Sequence, residues 1–209
     1  MFAHGWRPLT HNWPQPMADQ FEGMYASMPP WDIGRPQPAL AELAERGELK
    51  GRVLDAGCGT GEHALMAAGL GLVATGIDGA PTAIAIAERK ARDRGLAVRF
   101  LVGSVLDLGS LGEQFDTVID SGLFHVFDDE DRRRYVESLE AAITPGGRYF
   151  LLCFSDRHPG RQGPRRVTEA EIRGSFAQGW SVDALEPAMF ELNDPRGAQA
   201  WRAGITRNV

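Results

Sequence analysis

Gly57, Cys58, Gly59, Thr60 and Gly61 form a tight glycine run between the apolar stretch RVLDA and the helix-like stretch EHALMAAGL. Glycines so spaced let backbone N–H groups approach a ligand, because no Cβ stands in the way. What the run lacks bounds the ligand. A phosphate loop needs Gly-Lys-Ser/Thr, and no lysine follows here. The dinucleotide fingerprint G-x-G-x-x-G/A places its third small residue where this chain carries Glu62, and a carboxylate there sits badly beside pyrophosphate. Asp78 ends the next apolar stretch, about 20 residues past the glycines, where a carboxylate accepts both hydroxyls of a ribose. A ribose site without a phosphate cradle suits a nucleoside ligand.

A second candidate lies farther on. His125 follows the stretch FDTVIDSG, close to Asp120. A histidine with pKa near 6.5 can take a proton at neutral pH, and a polar side chain on a solvated loop is the plainer reading. Asp120 is the alternative base.

The elements that hold these residues alternate. RVLDAG, LVATGID, AVRFLVGS, FDTVIDSG and RYFLLCFS read as strands. GEHALMAAGL, APTAIAIAERKARDRG and DDEDRRRYVESLEAAI read as helices between them, the turn TPGG leads into the fifth strand, and helix 39–48 precedes the first. Strand and helix taking turns imply parallel β-α-β units, hence a doubly wound, Rossmann-like α/β sheet of seven mostly parallel strands. Ligands of such sheets bind at the carboxyl ends of the strands. Thr168 and Glu171 make a capping box opening helix 168–178. Two extended stretches, 180–192 and 198–207, suit a terminal antiparallel hairpin at the sheet edge.

Residues 1–38 stand apart, with seven of the prolines and three of the tryptophans; residues 39–209 make one domain. Within the first segment, MADQFEGMYASM places Phe21, Met24, Tyr25 and Met28 on one helical face. The net charge of −6 argues against a nucleic-acid partner. No apolar run is long enough to span a bilayer, and the N-terminus has neither a signal-peptide core nor an arginine-rich amphipathic pattern. Two cysteines, Cys58 and Cys153, make neither a disulfide framework nor a metal-ligand spacing, so no metal is expected and a reducing cytoplasm fits.

Asp55-Ala56-Gly57-Cys58-Gly59-Thr60-Gly61 with Asp78 resembles the first two motifs of class I S-adenosylmethionine-dependent methyltransferases. FDTVIDSGLFH and ITPGGRYFLLCF look like that family's fourth strand and the turn into its fifth, and the likeness runs over about residues 38–207. It implies S-adenosyl-L-methionine as cofactor, with Asp55, Gly57, Gly59, Asp78 and Asp120 around it and Ser104 and Val105 at the adenine edge. Ser104 stands where many relatives carry an acid, which leaves Asp107 or backbone to bind the adenine amine. PPWDIGRPQPAL and HPGRQGPRRV are similar to the lid and the late loop of the thiopurine and thiol/halide methyltransferase group, although Arg165 stands where an aromatic or proline is usual. Carried over, residues 1–38 become a lid, with Tyr25 and Trp31 on the methionine end of the cofactor. Rings there would favour a sulfonium by about 0.5–2 kcal/mol each. Ser121 stands where the thiopurine enzymes have an arginine, which counts against a thiopurine.

These readings converge on methyl transfer to sulfur, oxygen or nitrogen of a small aromatic or heterocyclic acceptor. Phe21, Phe124, Phe127 and Phe154 are expected in the acceptor pocket. Arg157, Arg161, Arg165 and Arg166 make a basic loop, read either as solvated chain or as a gate for an anionic acceptor. Two other classes stay open: a non-catalytic S-adenosylmethionine-binding sensor or subunit, and a dehydrogenase, which the glycine spacing disfavours.

Overall fold

The structure, a computed structural model, describes residues 21–160 and 162–209. The strands are β1 (Arg52–Ala56), β2 (Val73–Asp78), β3 (Val98–Val102), β4 (Phe115–Ser121), β5 (Ile143–Phe154), β6 (Trp180–Phe190) and β7 (Ala198–Arg207). They form one sheet in the order β3-β2-β1-β4-β5-β7-β6. β1 to β5 pair in parallel, and β7 runs antiparallel to both β5 and β6. The terminal hairpin therefore inserts its second strand against β5 and leaves β6 at the edge.

The helices are α1 (Pro38–Glu45), α2 (Glu62–Gly69), α3 (Pro81–Arg94), α4 (Asp129–Ala142) and α5 (Glu169–Ser175). Their ends follow local chemistry. α3 opens on Pro81, whose missing N–H costs nothing at a first-turn position, and closes on left-handed Gly95. The capping box of Thr168 and Glu171 forms as expected. Central strands such as β1 are buried on both faces, because α1, α2 and α3 cover one side of the sheet and α4 and α5 the other. Removing one fully buried side chain such as Leu54 or Leu151 would cost about 2–5 kcal/mol.

Three expectations shift. The helix expected over 17–28 is helical only at 21–24 among the described residues, because Pro29 and Pro30 stop the chain and Met28 is left 76% exposed. α5 ends at Ser175 rather than 178, beside Gly174 and short of Gly179. TPGG is not a turn before β5 but an irregular stretch inside it: Ile143 already pairs with Phe115, and the register shifts before Thr117 meets Arg148. A Cβ on Gly147 would come within 2.7 Å of Ile143 Cγ2, so the bulge tolerates little but glycine.

The sheet order reverses between β1 and β4, where the chain leaves β1 toward β2 on one side and β4 on the other. Crevices open at such points at the strands' carboxyl ends. The glycine turn after β1 and the loop after β4 both lie there.

Candidate active site

A cavity of about 960 Å³ opens at this switch point. Gly57, Gly59, Asp78 and Tyr25 line one part of it, and Leu123, His125, Phe154, Phe190 and Arg166 another. Gly59 adopts φ +52°, a left-handed conformation that favours glycine, and a Cβ there would lie 2.7 Å from the Tyr25 hydroxyl. The cradle is therefore tight for a steric reason. Asp78 accepts Gly59 N–H at 2.8 Å on one oxygen and Ala80 N–H at 2.8 Å on the other. Burial pushes its pKa above the ordinary carboxylate value, against these donors. Two carboxylate oxygens offer about four lone-pair sites, so both can still receive hydroxyls.

Asp55, the last acid before the glycines, accepts Ala64 N–H at 3.0 Å through Oδ2, while its buried Oδ1 has no partner. Burial pushes it up to about 7, with Asp78 and Asp120 adding repulsion. Asp55 itself is 1% exposed and does not line the cavity, so it supports the turn from behind. The glycine cradle and the paired-acceptor Asp78 do line it and fit a nucleoside with a ribose. The residues present match the group the sequence implies.

Tyr25, Trp31 and Phe21 all line the cavity, as expected from the sequence. Trp31 Nε1–H donates to the Tyr25 hydroxyl at 3.3 Å, and the Trp31 ring stands edge-on to both other rings. Burial, and next the Asp78 charge, push the Tyr25 phenol well up, so it stays protonated. The segment is pinned outside the rings. Glu22 accepts Thr82 N–H at 3.1 Å and the Thr82 hydroxyl. Its carboxylate thus sits at the N-terminal end of α3, where exposed N–H groups favour negative charge. Asn193 Nδ2–H donates to Pro29 O at 3.1 Å, and the Gln37 amide exchanges two hydrogen bonds with the Glu191 backbone.

Four sequence expectations need correction. Asp120 does not reach the cavity: it is fully buried and accepts Leu123 N–H, Phe124 N–H and the hydroxyls of Tyr135 and Tyr149. Burial pushes it up to about 6, while those four donors hold its charge. Asp120 anchors the loop after β4 and is neither base nor cofactor ligand. Phe124 also points away. It lies under the Arg132 guanidinium, 4.4 Å from its centroid, and stacks on Phe176. The cause is the 3-10 turn Phe124–Val126, which throws successive side chains about 120° apart and gives the cavity His125 and Val126 instead. Phe127 is buried against Tyr135 for the same reason. Third, the arginine loop is not simply solvated: Arg165 pairs with Asp129 and Glu171, and Arg157 lies over Trp201. Arg161 lies outside the described residues.

His125 is the fourth. It lines the cavity beside Phe154 and Phe190, but its Nδ1 accepts Phe154 N–H at 3.0 Å. Burial, then the Arg166 and Arg132 charges, lower its pKa to about 3. A neutral ring with Nδ1 accepting carries its proton on Nε2, which makes it a donor and not a base.

Ser104 and Val105 sit at the end of β3, one strand over from Asp78, but neither lines the main cavity. The Ser104 hydroxyl accepts Leu106 N–H at 3.2 Å, and Val105 is buried with its carbonyl accepting the Ser138 hydroxyl. Sequence reasoning missed Phe190, Leu192 and Gln37 as cavity walls. Each arrives from a segment remote from the motifs, so no local pattern could have marked it.

Comparison with known proteins gives the family. Residues 53–147 match the family model described as "Methyltransferase domain". A 2-heptyl-1-hydroxyquinolin-4(1H)-one methyltransferase of Mycobacteroides abscessus is 40% identical over 188 residues, covering 85% of this chain and 83% of that protein. The chain belongs to the S-adenosylmethionine-dependent methyltransferases that act on small molecules, with S-adenosyl-L-methionine as cofactor. Among solved structures, the enzyme described under "Conversion of a Disulfide Bond into a Thioacetal Group during Echinomycin Biosynthesis" has a TM-score of 0.83 and 37% identity, covering 92% of this chain and 93% of that one. The 1,6-didemethyltoxoflavin-N1-methyltransferase of Burkholderia thailandensis shares the fold, with a TM-score of 0.73, 20% identity and coverage of 98% and 94%.

Proposed function

We propose that the acceptor is a planar hydroxylated heteroaromatic, methylated on oxygen. The observation that carries this is the acceptor end of the cavity, walled by Phe154 and Phe190 with the neutral donor His125 beside both. Flat rings stack on such walls, and a few polar groups orient them. The 40% identical relative is named for a hydroxyquinolone, which supports the same class. When bound, S-adenosylmethionine supplies an electrophilic methyl group on a sulfonium. Gly57, Gly59 and Asp78 would hold its nucleoside part, and Asp55, bonded to Ala64 N–H behind the glycine turn, would hold that turn in place. Tyr25 and Trp31 would cover the sulfonium, which makes residues 1–38 a lid on the domain 39–209. The chain's main contribution is alignment of donor and acceptor, an effect of roughly 7–11 kcal/mol in well-oriented systems.

No helix among the described residues is long and apolar enough to cross a membrane. With two buried free thiols and a net charge of −6, we read the chain as a cytoplasmic enzyme without a nucleic-acid partner. The experiment is mass-resolved methyl transfer to a panel of hydroxyquinolones, phenols, thiols and ring-nitrogen heterocycles. Preferred turnover of the hydroxylated heteroaromatics supports the reading, and turnover confined to thiols or ring nitrogens refutes it.

A further inference from the structure

The His125 corner contains a second unusual group. Arg166 lines the same cavity with its guanidinium 5.4 Å from the Phe154 ring centroid, and His125 packs edge-on to that ring at 4.9 Å. Arg166 donates to three backbone carbonyls, of His158, Pro164 and Gln162, and pairs with no carboxylate among the described residues. Its neighbour Arg165, by contrast, is neutralised by Asp129 and Glu171. The carbonyls fix the Arg166 head in place without cancelling its charge. A fixed, uncompensated cation beside a cavity selects for an anion.

We propose that His125 and Arg166 together form an oxyanion subsite, in which the acceptor binds already deprotonated and no side chain of the enzyme removes its proton. This rests on the hydroxylated-acceptor reading above and names the ionisation state that reading leaves open. The hydroxyl proton goes to solvent water on binding. The oxyanion's electron pair then forms the O–C bond as the methyl–sulfur bond breaks, and that bond's electrons return to sulfur. His125 is a positioning donor here: Nδ1 is spent on Phe154 N–H, so Nε2–H is the face left for the acceptor oxygen. The charges acting on the ring are both cationic, Arg166 from its loop and Arg132 from α4. Both oppose protonation, so the ring stays a neutral donor throughout the pH range of turnover.

The subsite predicts that the acceptor's pKa falls on binding, by about one to three units as for other acids brought near a fixed cation. The direct probe is 4-nitrophenol bound to the full chain with S-adenosylhomocysteine, whose absorbance distinguishes phenol from phenolate. The expected result is a phenolate band at pH values below the free compound's pKa, a shift lost in Arg166→Gln. A bound nitrophenol that titrates at its solution pKa, or binds only in its neutral form, or fails to bind, overturns the proposal. Kinetics give an independent readout through a series of phenols of rising pKa. The acid limb of kcat/KM should move with each phenol's own pKa and keep its position in His125→Gln, which retains an N–H donor but has no titrating base. An acid limb fixed near neutral pH for every phenol, and abolished in His125→Gln, would make His125 a base after all. Should that variant not fold, the wild-type absorbance titration still decides. Turnover of any of these phenols upholds the acceptor class whichever way the ionisation result falls.

Discussion

Asp78 and His125 show how much one side chain can carry in this protein. Asp78 is held by two backbone N–H groups and has lone pairs to spare for a ribose. Asp78→Ala should weaken S-adenosylhomocysteine binding by a few kcal/mol, since two charge-assisted bonds of about 1.5–3 kcal/mol each are lost. Calorimetry on the folded variant reads this directly, and unchanged affinity would take Asp78 out of the site. His125 makes a prediction about stability. Its folded pKa of about 3 lies below the unfolded value, so the neutral ring's share of stability is intact above pH 6.5 and is lost as pH falls toward 3. His125→Gln removes that dependence. Between pH 7 and 5 the wild type should lose about 2 kcal/mol more stability than the variant in urea unfolding. Parallel losses would mean that the ring titrates normally. That Asp78 and the glycines would meet at one cavity was legible in the sequence, because their spacing along one β-α-β unit sets it. The roles of Asp120 and His125 were not, since they depend on Tyr135, Tyr149 and the Phe154 N–H, groups far along the chain.

At the scale of elements, the segment 21–37 is the piece whose behaviour matters most. It lays three aromatic rings on the cavity and is tied to the N-terminus of α3 through Glu22 and to the chain after β6 through Asn193. Glu22→Ala should free one tie without touching the sheet. The expected outcome is a several-fold rise in KM for the cofactor with an unchanged melting temperature, measured by steady-state kinetics and calorimetry. Deleting residues 1–30 goes further: it should leave the sheet folded and greatly reduce turnover, because water is no longer kept from the sulfonium. Full activity in the truncated chain would show that the segment is no lid. The regular elements were readable from alternation and caps, notably the Thr168–Glu171 box. The bulge that lets β5 start at Ile143 was not, because a PGG sequence reads locally as a turn and only pairing with Phe115 keeps it extended. The 3-10 turn after β4 likewise has no periodic signature, and it alone decides that His125 faces the cavity while Phe124 does not.

For the whole molecule, the sheet order brings the loops after β1 and β2, proposed to hold the nucleoside, and those after β4 and β5, proposed to hold the acceptor, onto one cavity. That arrangement explains why residues from 21 to 192 meet in a single site. The fold class followed from the alternation, and the cofactor from the resemblance carried by the glycine run and Asp78. An aromatic acceptor was already expected, whereas the proposed oxygen acceptor rests on the three-dimensional meeting of Phe154, Phe190, His125 and Arg166. The proposed reaction is methyl transfer from S-adenosylmethionine to a hydroxylated heteroaromatic. The most direct measurement incubates the full chain with methyl-deuterated S-adenosylmethionine and 2-heptyl-1-hydroxyquinolin-4(1H)-one and follows products by mass spectrometry. The expected product carries one trideuteromethyl group on oxygen, formed with one equivalent of S-adenosylhomocysteine and suppressed in Asp78→Ala. Contradiction would be no transfer to this or any other hydroxylated ring by a chain that binds the cofactor, or a label found on a ring nitrogen.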